Sequence, residues 1–251
     1  MKLLYIFDLD GTLTKSKQSM DNEMASLLVD LLKKTKVAVV SGGKYEQFIN
    51  QFVDYLNCND SKLLSNLFLF PTCATAFYRY SDDGWMNIYN ELLSEKEKKL
   101  IKSAIEFVTE RIGIDKLDIH ITFGKQVEDR KTQITFSALG QEAPLDLKKN
   151  WDKNQKKRWQ IKKMLENLIP EFEITIGGTT SIDITKKGID KIYAIKQMEK
   201  YLGIDKKDML FIGDALYEGG NDYPVKTIGV ECIQVVDEEE TKKVIRELIY
   251  G

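Results

Sequence analysis

The sequence predicts an α/β fold in which a core domain, built on a parallel sheet, carries an inserted α+β domain. Near both ends of the chain, short all-apolar runs alternate with segments of helical periodicity, which is typical of buried parallel strands connected by helices. In the middle of the chain, strand-like segments instead follow one another directly, as in an antiparallel sheet. We therefore expect a core domain over residues 1–80 and 186–251 and an inserted domain over residues 81–185.

In the first part of the core, apolar runs at residues 3–7, 37–40 and 67–70 predict three buried strands. The helix between the first two strands should begin after Asp21, because an aspartate side chain can accept a hydrogen bond from the first helical turn. A second helix around Phe48 should lead to the third strand.

Turn and capping residues predict the elements of the insertion. A hairpin should form around residues 81–84, and Ser94 with Glu97 should form a capping box that opens a long helix ending near Gly113. The single histidine, His120, lies in an apolar stretch and is expected to be a strand residue. The other expected elements are strands over 119–123, 133–138, 172–176 and 181–184 and a charged helix over 153–168.

After residue 186 the alternation of strands and helices returns. A helix over residues 190–202 should precede a buried strand over residues 209–212. Two short strands over 227–230 and 233–236 and a final helix from residue 238 complete the predicted core.

Composition excludes several functional classes. The 37 basic and 39 acidic residues nearly cancel, which argues against a protein that binds nucleic acid or an anionic membrane surface. The three cysteines form no CxxC pair, so neither a disulfide framework nor a structural zinc site is expected and the cytoplasm is the expected compartment. With one histidine, a Ser-His-Asp triad or a multi-histidine metal site is improbable, and any chemistry must use carboxylates, lysines and hydroxyls.

Acidic residues and a serine stand immediately after three of the predicted core strands. Asp8 and Asp10 follow the first strand, Ser41 follows the second, and Asp214 follows a strand near the end of the chain. An open parallel sheet delivers its active-site residues from the carboxyl ends of its strands, so these residues should converge. Carboxylates without nitrogen or sulfur ligands favour bound Mg²⁺. The alternative is that Asp8 to Gly11 form a solvated turn without a metal.

The run Asp8-Leu9-Asp10-Gly11-Thr12 resembles the DxDGT signature of the haloacid dehalogenase superfamily phosphotransferases. Ser41, Lys191 and the segment 213–222 match the other three motifs of that superfamily in the same order, and the inserted section resembles its type-IIb cap. This resemblance covers essentially the whole chain and implies a Rossmann-like parallel-sheet core with an inserted cap domain.

By this resemblance, Asp8 is the nucleophile that forms an aspartyl-phosphate, and Asp10 is the general acid and base. The implied cofactor is Mg²⁺, held by Asp8, the backbone carbonyl of Asp10 and the carboxylate of Asp214. Ser41 and Gly42 are implied to bind the phosphate that is transferred.

Lys191 is implied to act in both catalysis and phosphate binding. It follows Asp190, a predicted N-cap, so its charge lies in a first helical turn, where the dipole disfavours a cation by about 0.3–1 kcal/mol. A phosphate and Asp8 nearby would offset that cost. Asn221 and Asp222 are implied to orient Lys191 or to support the metal site, and the alternative for both residues is ordinary turn chemistry.

A closer resemblance is to the eukaryotic-type phosphomannomutases. It rests on the runs Thr12-Leu13-Thr14, Ser41-Gly42-Gly43 and Ile176-Gly177-Gly178 and on the long spacing between Asp214 and Asp222. In that family, basic residues of the cap clamp the phosphate that is not transferred, and a serine and an aspartate contact the sugar hydroxyls or that phosphate. The implied substrate-binding residues are Lys17, Arg130, Gln141, Lys148, Ser181 and Asp183.

The chain departs from the family among the residues that bind the phosphate that is not transferred, which we call the phosphate clamp. Gln141 stands where a second arginine is expected, and Lys17 and Lys148 stand where family members can have arginine. A lysine lacks the bidentate geometry of arginine, and a glutamine carries no charge. The alternative is that these side chains, and Arg130, are ordinary surface residues. The run Thr72-Cys73-Ala74 also departs from an acidic-Asn-Gly run.

The expected function is that of a Mg²⁺-dependent hexose-phosphate mutase, an isomerase that interconverts mannose or glucose 1-phosphate and 6-phosphate with a hexose 1,6-bisphosphate activator. The first alternative is a Mg²⁺-dependent sugar-phosphate phosphatase, a hydrolase, which the missing clamp charge favours. The second is a non-catalytic binding protein. The expected partners are small sugar phosphates, without nucleic acid or membrane, and a second copy of the chain through the cap.

Overall fold

A computed structural model describes residues 2–16, 18–113 and 117–251. The chain divides into two compact units, which we call the core unit (Met1–Asn90 and Asp190–Gly251) and the inserted unit (Glu91–Ile189). The expected boundaries near residues 80 and 186 differ from this division at both junctions. The reason at the first junction is that the hairpin around residues 81–84 pairs with the third core strand and extends the core sheet.

The core unit contains a seven-stranded sheet in the order β11-β10-β1-β2-β3-β4-β5, numbered along the chain. The strands from β11 to β3 in this order are parallel, and β4 and β5 are antiparallel additions at one edge. The mixed sheet with its helices confirms the predicted α/β class. The strands are β1 (Leu4–Phe7), β2 (Lys36–Val40), β3 (Leu67–Phe70), β4 (Ala76–Ser81), β5 (Gly84–Asn90), β10 (Met209–Gly213) and β11 (Glu231–Gln234).

The helices of the core unit connect these strands, and several begin where their capping residues predict. Asp21 accepts a hydrogen bond from the backbone N–H of Met24, and Asp190 accepts one from that of Tyr193, so both are N-caps as expected. The helices are α1 (Asn22–Leu32), α2 (Tyr45–Gln51), α3 (Ser61–Leu64), α4 (Pro71–Ala74), α8 (Lys191–Leu202), α9 (Tyr223–Thr227) and α10 (Glu238–Tyr250), with 3₁₀ turns at Val53–Tyr55 and Lys206–Asp208.

The central core strands β1, β3 and β10 are buried along their whole length because both faces of their part of the sheet are covered. On one face, Phe7 and Val39 pack in a cluster with side chains of α1 and α10. On the other face, Ile6, Val40 and Phe211 pack with side chains of α8. These strands therefore lack the alternation of polar and apolar residues that is typical of a sheet with one solvent-exposed face.

Strand register brings the predicted motif residues to one edge of the core sheet. Phe7 pairs with Val39 on one side and with Ile212 on the other, and all three strands run in the same direction. The residues that follow these strands therefore leave the sheet at the same edge. This edge carries the candidate site.

The inserted unit is a four-stranded antiparallel sheet in the order β6-β7-β9-β8 with helices that complete its apolar core. Ser94 and Glu97 form the predicted capping box at the start of its long helix. The strands are β6 (Val127–Asp129), β7 (Ile134–Ser137), β8 (Phe172–Gly177) and β9 (Ser181–Lys186), and the helices are α5 (Glu95–Ile112), α6 (Leu145–Trp151) and α7 (Lys156–Leu168).

Two predicted strands are wrong. Residues 119–123, all of which the structure describes, form no strand, because the neighbouring position beside β7 is taken by β6. His120 is consequently an exposed loop residue, with its Nε2 atom 3.3 Å from Asp118. Residues 227–230 lie at the end of α9 and in the turn after it, and the edge strand β11 forms only afterwards, parallel to β10.

A buried ion pair holds the hairpin between β8 and β9. The Nε atom of Arg158 donates to Asp152 Oδ2 at 3.0 Å, and both side chains are buried. Arg158 Nη1 also donates to the backbone carbonyl of Gly178 at 2.6 Å, at the turn of the hairpin. Asp152 accepts hydrogen bonds from the backbone N–H groups of Lys157 and Arg158, so it also provides a partner for N–H groups in the first turn of α7.

We expect Asp152→Ala to destabilise the inserted unit strongly, because it leaves the Arg158 guanidinium buried without its counter-charge. Removing one partner of a buried pair typically costs about 3–5 kcal/mol. The midpoint of urea unfolding measures the effect. The matched control is Asp205→Ala, which removes an exposed partner of Lys207 and should leave the midpoint unchanged. Equal midpoints for the two variants would contradict this account of Arg158.

Candidate active site

A buried lysine lies between two aspartates at the edge of the core sheet. Asp8 directly follows β1, and its backbone N–H donates to the carbonyl of Ile212 at 3.0 Å. Lys191, the first residue of α8, places its Nζ atom 2.6 Å from Asp8 Oδ1 and also forms an ion pair with Asp222 Oδ1. Asp222 accepts a second hydrogen bond, from the backbone N–H of Ala215, at 3.0 Å. The three charged side chains are almost completely excluded from solvent.

Burial and mutual interaction shift the pKa of both Lys191 and Asp8. Burial alone would lower the pKa of Lys191, but the carboxylates of Asp222 and Asp8 outweigh it and raise that pKa above its usual value. Burial raises the pKa of Asp8 well above its usual value; Lys191 opposes this rise, whereas Asp222 and Asp214 add to it. The charged form of Lys191 is therefore favoured, whereas the ionised form of Asp8 is disfavoured.

Asp214 follows β10 and lies over the turn at Gly11. Burial, and next the charge of Asp222, raise the pKa of Asp214 to about 6. A side chain at position 11 would place its Cβ atom 2.7 Å from Asp214 Oδ2, and Gly11 has a φ of +91°. Both the close approach and the backbone conformation therefore require glycine here. Gly11 thus allows the chain to turn sharply after Asp10.

The oxygen donors at this edge fit a magnesium ion. Among the described residues, no three histidine, cysteine or acidic side chains form a metal-binding group, but the expected site needs only the carboxylates of Asp8 and Asp214 and the backbone carbonyl of Asp10. Burial, together with neighbouring aspartates, disfavours the ionised form of both carboxylates, and a bound divalent cation would offset that effect. In the same turn, the fully buried hydroxyl of Thr12 has no hydrogen-bond partner among the described residues.

Asp10, the expected general acid and base, has a partner that the sequence analysis missed. Gln47 Nε2 donates to Asp10 Oδ2 at 3.2 Å. Gln47 lies in the first turn of α2 and packs over Gly43, where a Cβ atom would lie 2.6 Å from Gln47 Oε1. No sequence signal distinguishes Gln47 from a surface glutamine, because its contact with Asp10 joins residues that are 37 positions apart in the chain.

The loop after β2 places Ser41 at this edge and is held by a strained segment. Ser41 is buried, and its Oγ atom accepts the backbone N–H of Gly43 at 3.3 Å. The N–H groups of Thr72 and Cys73 donate to the carbonyls of Gly43 and Ser41 at 2.8 and 2.9 Å. Thr72, Cys73 and Ala74 have φ values of 50°, 57° and 66°, which are unfavourable for residues other than glycine. The run that departs from the family thus supports the loop of Ser41 and Gly42.

Three of the expected substrate residues lie on loops and a helix of the inserted unit. Arg130 forms an ion pair with Glu128, with Nη2 and Oε2 2.7 Å apart. Lys148 Nζ donates to the backbone carbonyl of Gln141 at 2.7 Å, so the structure brings these two residues together. The charges of Arg130 and Lys148 therefore already have polar partners within the unit.

The remaining substrate candidates of the inserted unit lie on β9. Ser181 and Asp183 point to one side of this strand, and the alternating residues Ile182 and Ile184 belong to the apolar core of the unit. Lys17, the other predicted substrate residue, lies outside the described residues. Asn221 precedes Asp222 in the loop after β10.

Among the described helices, none is both long enough and apolar enough to cross a membrane.

Solved structures support the fold. The chain superposes on IMP-nucleotidase from Plasmodium falciparum with a TM-score of 0.73 at 19% identity, covering 99% of this chain and 71% of that one. It superposes on a haloacid dehalogenase-like hydrolase from Bacteroides thetaiotaomicron with a TM-score of 0.63 at 13% identity, covering 99% and 100% of the two chains. At these identities the likeness shows the fold alone.

Comparison of the amino-acid sequence with known proteins identifies the family, which the structural likeness alone does not. The chain is 28% identical to a phosphomannomutase from Spinacia oleracea, covering 98% of this chain and 95% of that protein. It is 29% identical to a phosphomannomutase from Schizosaccharomyces pombe, covering 91% and 88%. The family model described as eukaryotic phosphomannomutase matches residues 24–250. Since this match spans nearly the whole chain and confirms the resemblance read from the motifs, the chain belongs to the eukaryotic phosphomannomutase family, whose members are phosphotransferase isomerases.

Proposed function

We propose that the protein is a Mg²⁺-dependent hexose-phosphate mutase that interconverts the 1-phosphate and 6-phosphate of mannose or glucose. The observation that carries this proposal is the buried arrangement of Lys191 between Asp8 and Asp222 in a chain of the phosphomannomutase family. A buried cation beside a carboxylate at the end of a parallel strand suits phosphoryl transfer, in which positioning and charge neutralisation supply most of the catalysis.

In the first half-reaction, an Asp8 carboxylate oxygen bonds to phosphorus while the bond between phosphorus and the sugar oxygen breaks. Asp10 gives a proton to the departing sugar oxygen. In the second half-reaction, Asp10 takes a proton from the attacking hydroxyl, which bonds to phosphorus as the aspartyl-phosphate bond breaks. Gln47 holds the Asp10 carboxylate through its hydrogen bond at 3.2 Å.

Lys191 orients Asp8 and offsets negative charge on the phosphoryl group, and Asp222 orients Lys191. Mg²⁺, held by Asp8, Asp214 and the backbone carbonyl of Asp10, would neutralise further charge on that group. Ser41 and Gly42 would supply hydrogen bonds to the transferred phosphate.

The inserted unit is proposed to recognise the rest of the substrate. Arg130 and Lys148 would contact the phosphate that is not transferred, with Gln141 beside Lys148, and Ser181 and Asp183 would contact the sugar. This assignment, like that of Lys17, rests on the resemblance to the family. A hexose 1,6-bisphosphate activator, a homodimer formed through the inserted unit and a cytoplasmic location are parts of the same proposal.

A sugar-phosphate phosphatase is the second candidate, and a specific observation favours it. Arg130 is paired with Glu128, Lys148 donates to a backbone carbonyl, and Gln141 contributes no charge. If these residues bind the second phosphate weakly, water would react with the aspartyl-phosphate before the sugar hydroxyl does.

Asp8→Asn should lower activity on a hexose 1-phosphate by at least about 10³-fold, because the amide cannot attack phosphorus and a covalent intermediate is lost. Turnover of the purified variant and trapping of a phosphoenzyme measure the effect. Asp54→Asn, which changes an exposed carboxylate of the core unit, serves as the control. Residual turnover above about one per cent of that of the control would contradict the role of Asp8.

Removing divalent cations with a chelator should abolish activity, and added Mg²⁺ should restore it. Asp214→Asn should raise the Mg²⁺ concentration needed for half-maximal activity by about 10-fold or more, since it removes one anionic ligand. Calorimetric titration with Mg²⁺ checks the same change without turnover. Unchanged Mg²⁺ affinity relative to an Asp205→Asn control would exclude Asp214 as a ligand.

The products decide between mutase and phosphatase. With Mg²⁺ and mannose or glucose 1-phosphate, we expect the 6-phosphate as the main product, with stimulation by the 1,6-bisphosphate and little free phosphate. Dominant release of phosphate without stimulation would identify a phosphatase.

Gln141→Arg should shift the product ratio further toward isomerisation, because a guanidinium beside Lys148 adds a charge-assisted contact worth about 1.5–3 kcal/mol. Gln141→Ala, which removes the amide without adding charge, is the control and should not produce that shift. Equal product ratios for the two variants would place residue 141 outside the phosphate clamp.

A further inference from the structure

One face of the inserted sheet is lined by buried polar side chains. On β7 and β9, isoleucine and phenylalanine residues that face the apolar core alternate with polar residues on the opposite face. Thr135 and Asp183 are directly paired across the two strands. The buried polar residues of this face are Gln133, Thr135, Ser137, Asp183 and Thr185.

A directed chain of hydrogen bonds ends on Asp183. Gln133 Nε2 donates to Thr135 Oγ1 at 2.8 Å, and Thr135 Oγ1 donates to Asp183 Oδ1 at 2.7 Å. A hydroxyl has one proton to give, and here it is given to a carboxylate, which is an acceptor. Because threonine is branched at Cβ, its hydroxyl has few alternative orientations. Thr135 therefore holds one oxygen of Asp183 in a defined position.

Gly177 confines the second oxygen of Asp183 from the other side. Gly177 lies on β8, the other neighbour of β9, and a Cβ atom added there would lie 2.5 Å from Asp183 Oδ2. Gly177 is not among the residues with positive φ, so a side chain added here would be opposed by contact with Asp183 rather than by the backbone conformation. Asp183 is thus fitted between Thr135 on one strand and the bare backbone of Gly177 on the other.

We propose that Thr135, oriented by Gln133, is a positioning residue that sets the direction in which Asp183 accepts a hydrogen bond from a hydroxyl group of the sugar. This inference rests on the proposed function, in which Asp183 contacts the substrate. An ionised carboxylate accepts hydrogen bonds and repels a phosphate of the same charge, so the partner it suits is a hydroxyl donor. Misplacing this carboxylate should therefore affect hexose phosphates and spare phosphate esters without hydroxyl groups.

The first experiment removes only the hydroxyl. Thr135→Val should lower kcat/KM for a hexose 1-phosphate by about 3- to 10-fold, mainly through KM, as expected for one hydrogen bond. Activity on 4-nitrophenyl phosphate should be unchanged, and Thr135→Ser should restore most of the loss. The matched control is Thr185→Val, because the Thr185 hydroxyl lies on the same face and donates to the backbone carbonyl of Ile189 at 3.1 Å. Equal losses on both substrates would overturn the inference.

A double-mutant cycle then tests whether Thr135 acts through Asp183. Asp183→Ala should cost about 10- to 100-fold on the hexose phosphate, and adding Thr135→Val to it should cost nothing further. If the two losses multiply, Thr135 does not act through Asp183 and the inference fails while the proposed binding role of Asp183 stands. If Asp183→Ala leaves the hexose-phosphate reaction unchanged, that binding role fails as well.

Gly177→Ala gives an independent measurement should Thr135→Val unfold the inserted unit. It displaces Asp183 Oδ2 by steric contact and leaves Thr135 intact. It should produce the same selective loss on the hexose phosphate. A folded Gly177→Ala variant with unchanged kinetics on both substrates would overturn the inference.

Discussion

The core site depends on one buried cation, the ammonium group of Lys191. Its contacts with Asp8 and Asp222 join residues that are 183 and 31 positions away in the chain. Without it, two carboxylates would be buried close together with no counter-charge, an arrangement that raises the pKa of one or both until a proton binds. Lys191 opposes the rise in the pKa of Asp8 that burial causes, and it therefore favours the ionised carboxylate that the proposed nucleophile needs.

The loops at the same edge of the core sheet also contain a close contact and a strained backbone segment. Asp214 lies so close to Gly11 that a side chain at position 11 would contact it. Three consecutive residues, Thr72 to Ala74, have left-handed backbone conformations, and the N–H groups of the first two donate hydrogen bonds to the loop of Ser41. Such conformations persist only where surrounding contacts impose them, and here the contacts come from the ends of neighbouring parallel strands. Hydrogen bonds between the segments that follow β2 and β3 therefore hold the strained loop.

The inserted unit uses a different means of ordering a charge. Asp183 accepts a hydrogen bond from the Thr135 hydroxyl on the adjacent strand, and its other oxygen lies against the backbone of Gly177. The hairpin that carries these residues is anchored in turn by the Arg158–Asp152 pair. Packing and register within one sheet therefore bring a hydroxyl donor and a glycine backbone to the two oxygens of this carboxylate.

The amino-acid sequence by itself determined the α/β class, most strands, the caps at Asp21, Ser94 and Asp190, and the identity of the motif residues, because these depend on local periodicity and on short spacings. It misplaced strands at 119–123 and 227–230, because an apolar run becomes a strand only if a neighbouring strand is available to pair with it.

Only the tertiary structure decided which side chains meet. It placed Gln47 against Asp10 and Thr135 against Asp183, which are 37 and 48 positions apart in the chain. It also assigned the hairpin after β3 to the core sheet. Contacts of this kind depend on strand order, register and the packing of helices, which bring distant residues within hydrogen-bond distance and leave no mark in local sequence. The sequence therefore determined which residues form the motif, whereas the fold determined which side chains contact and orient them.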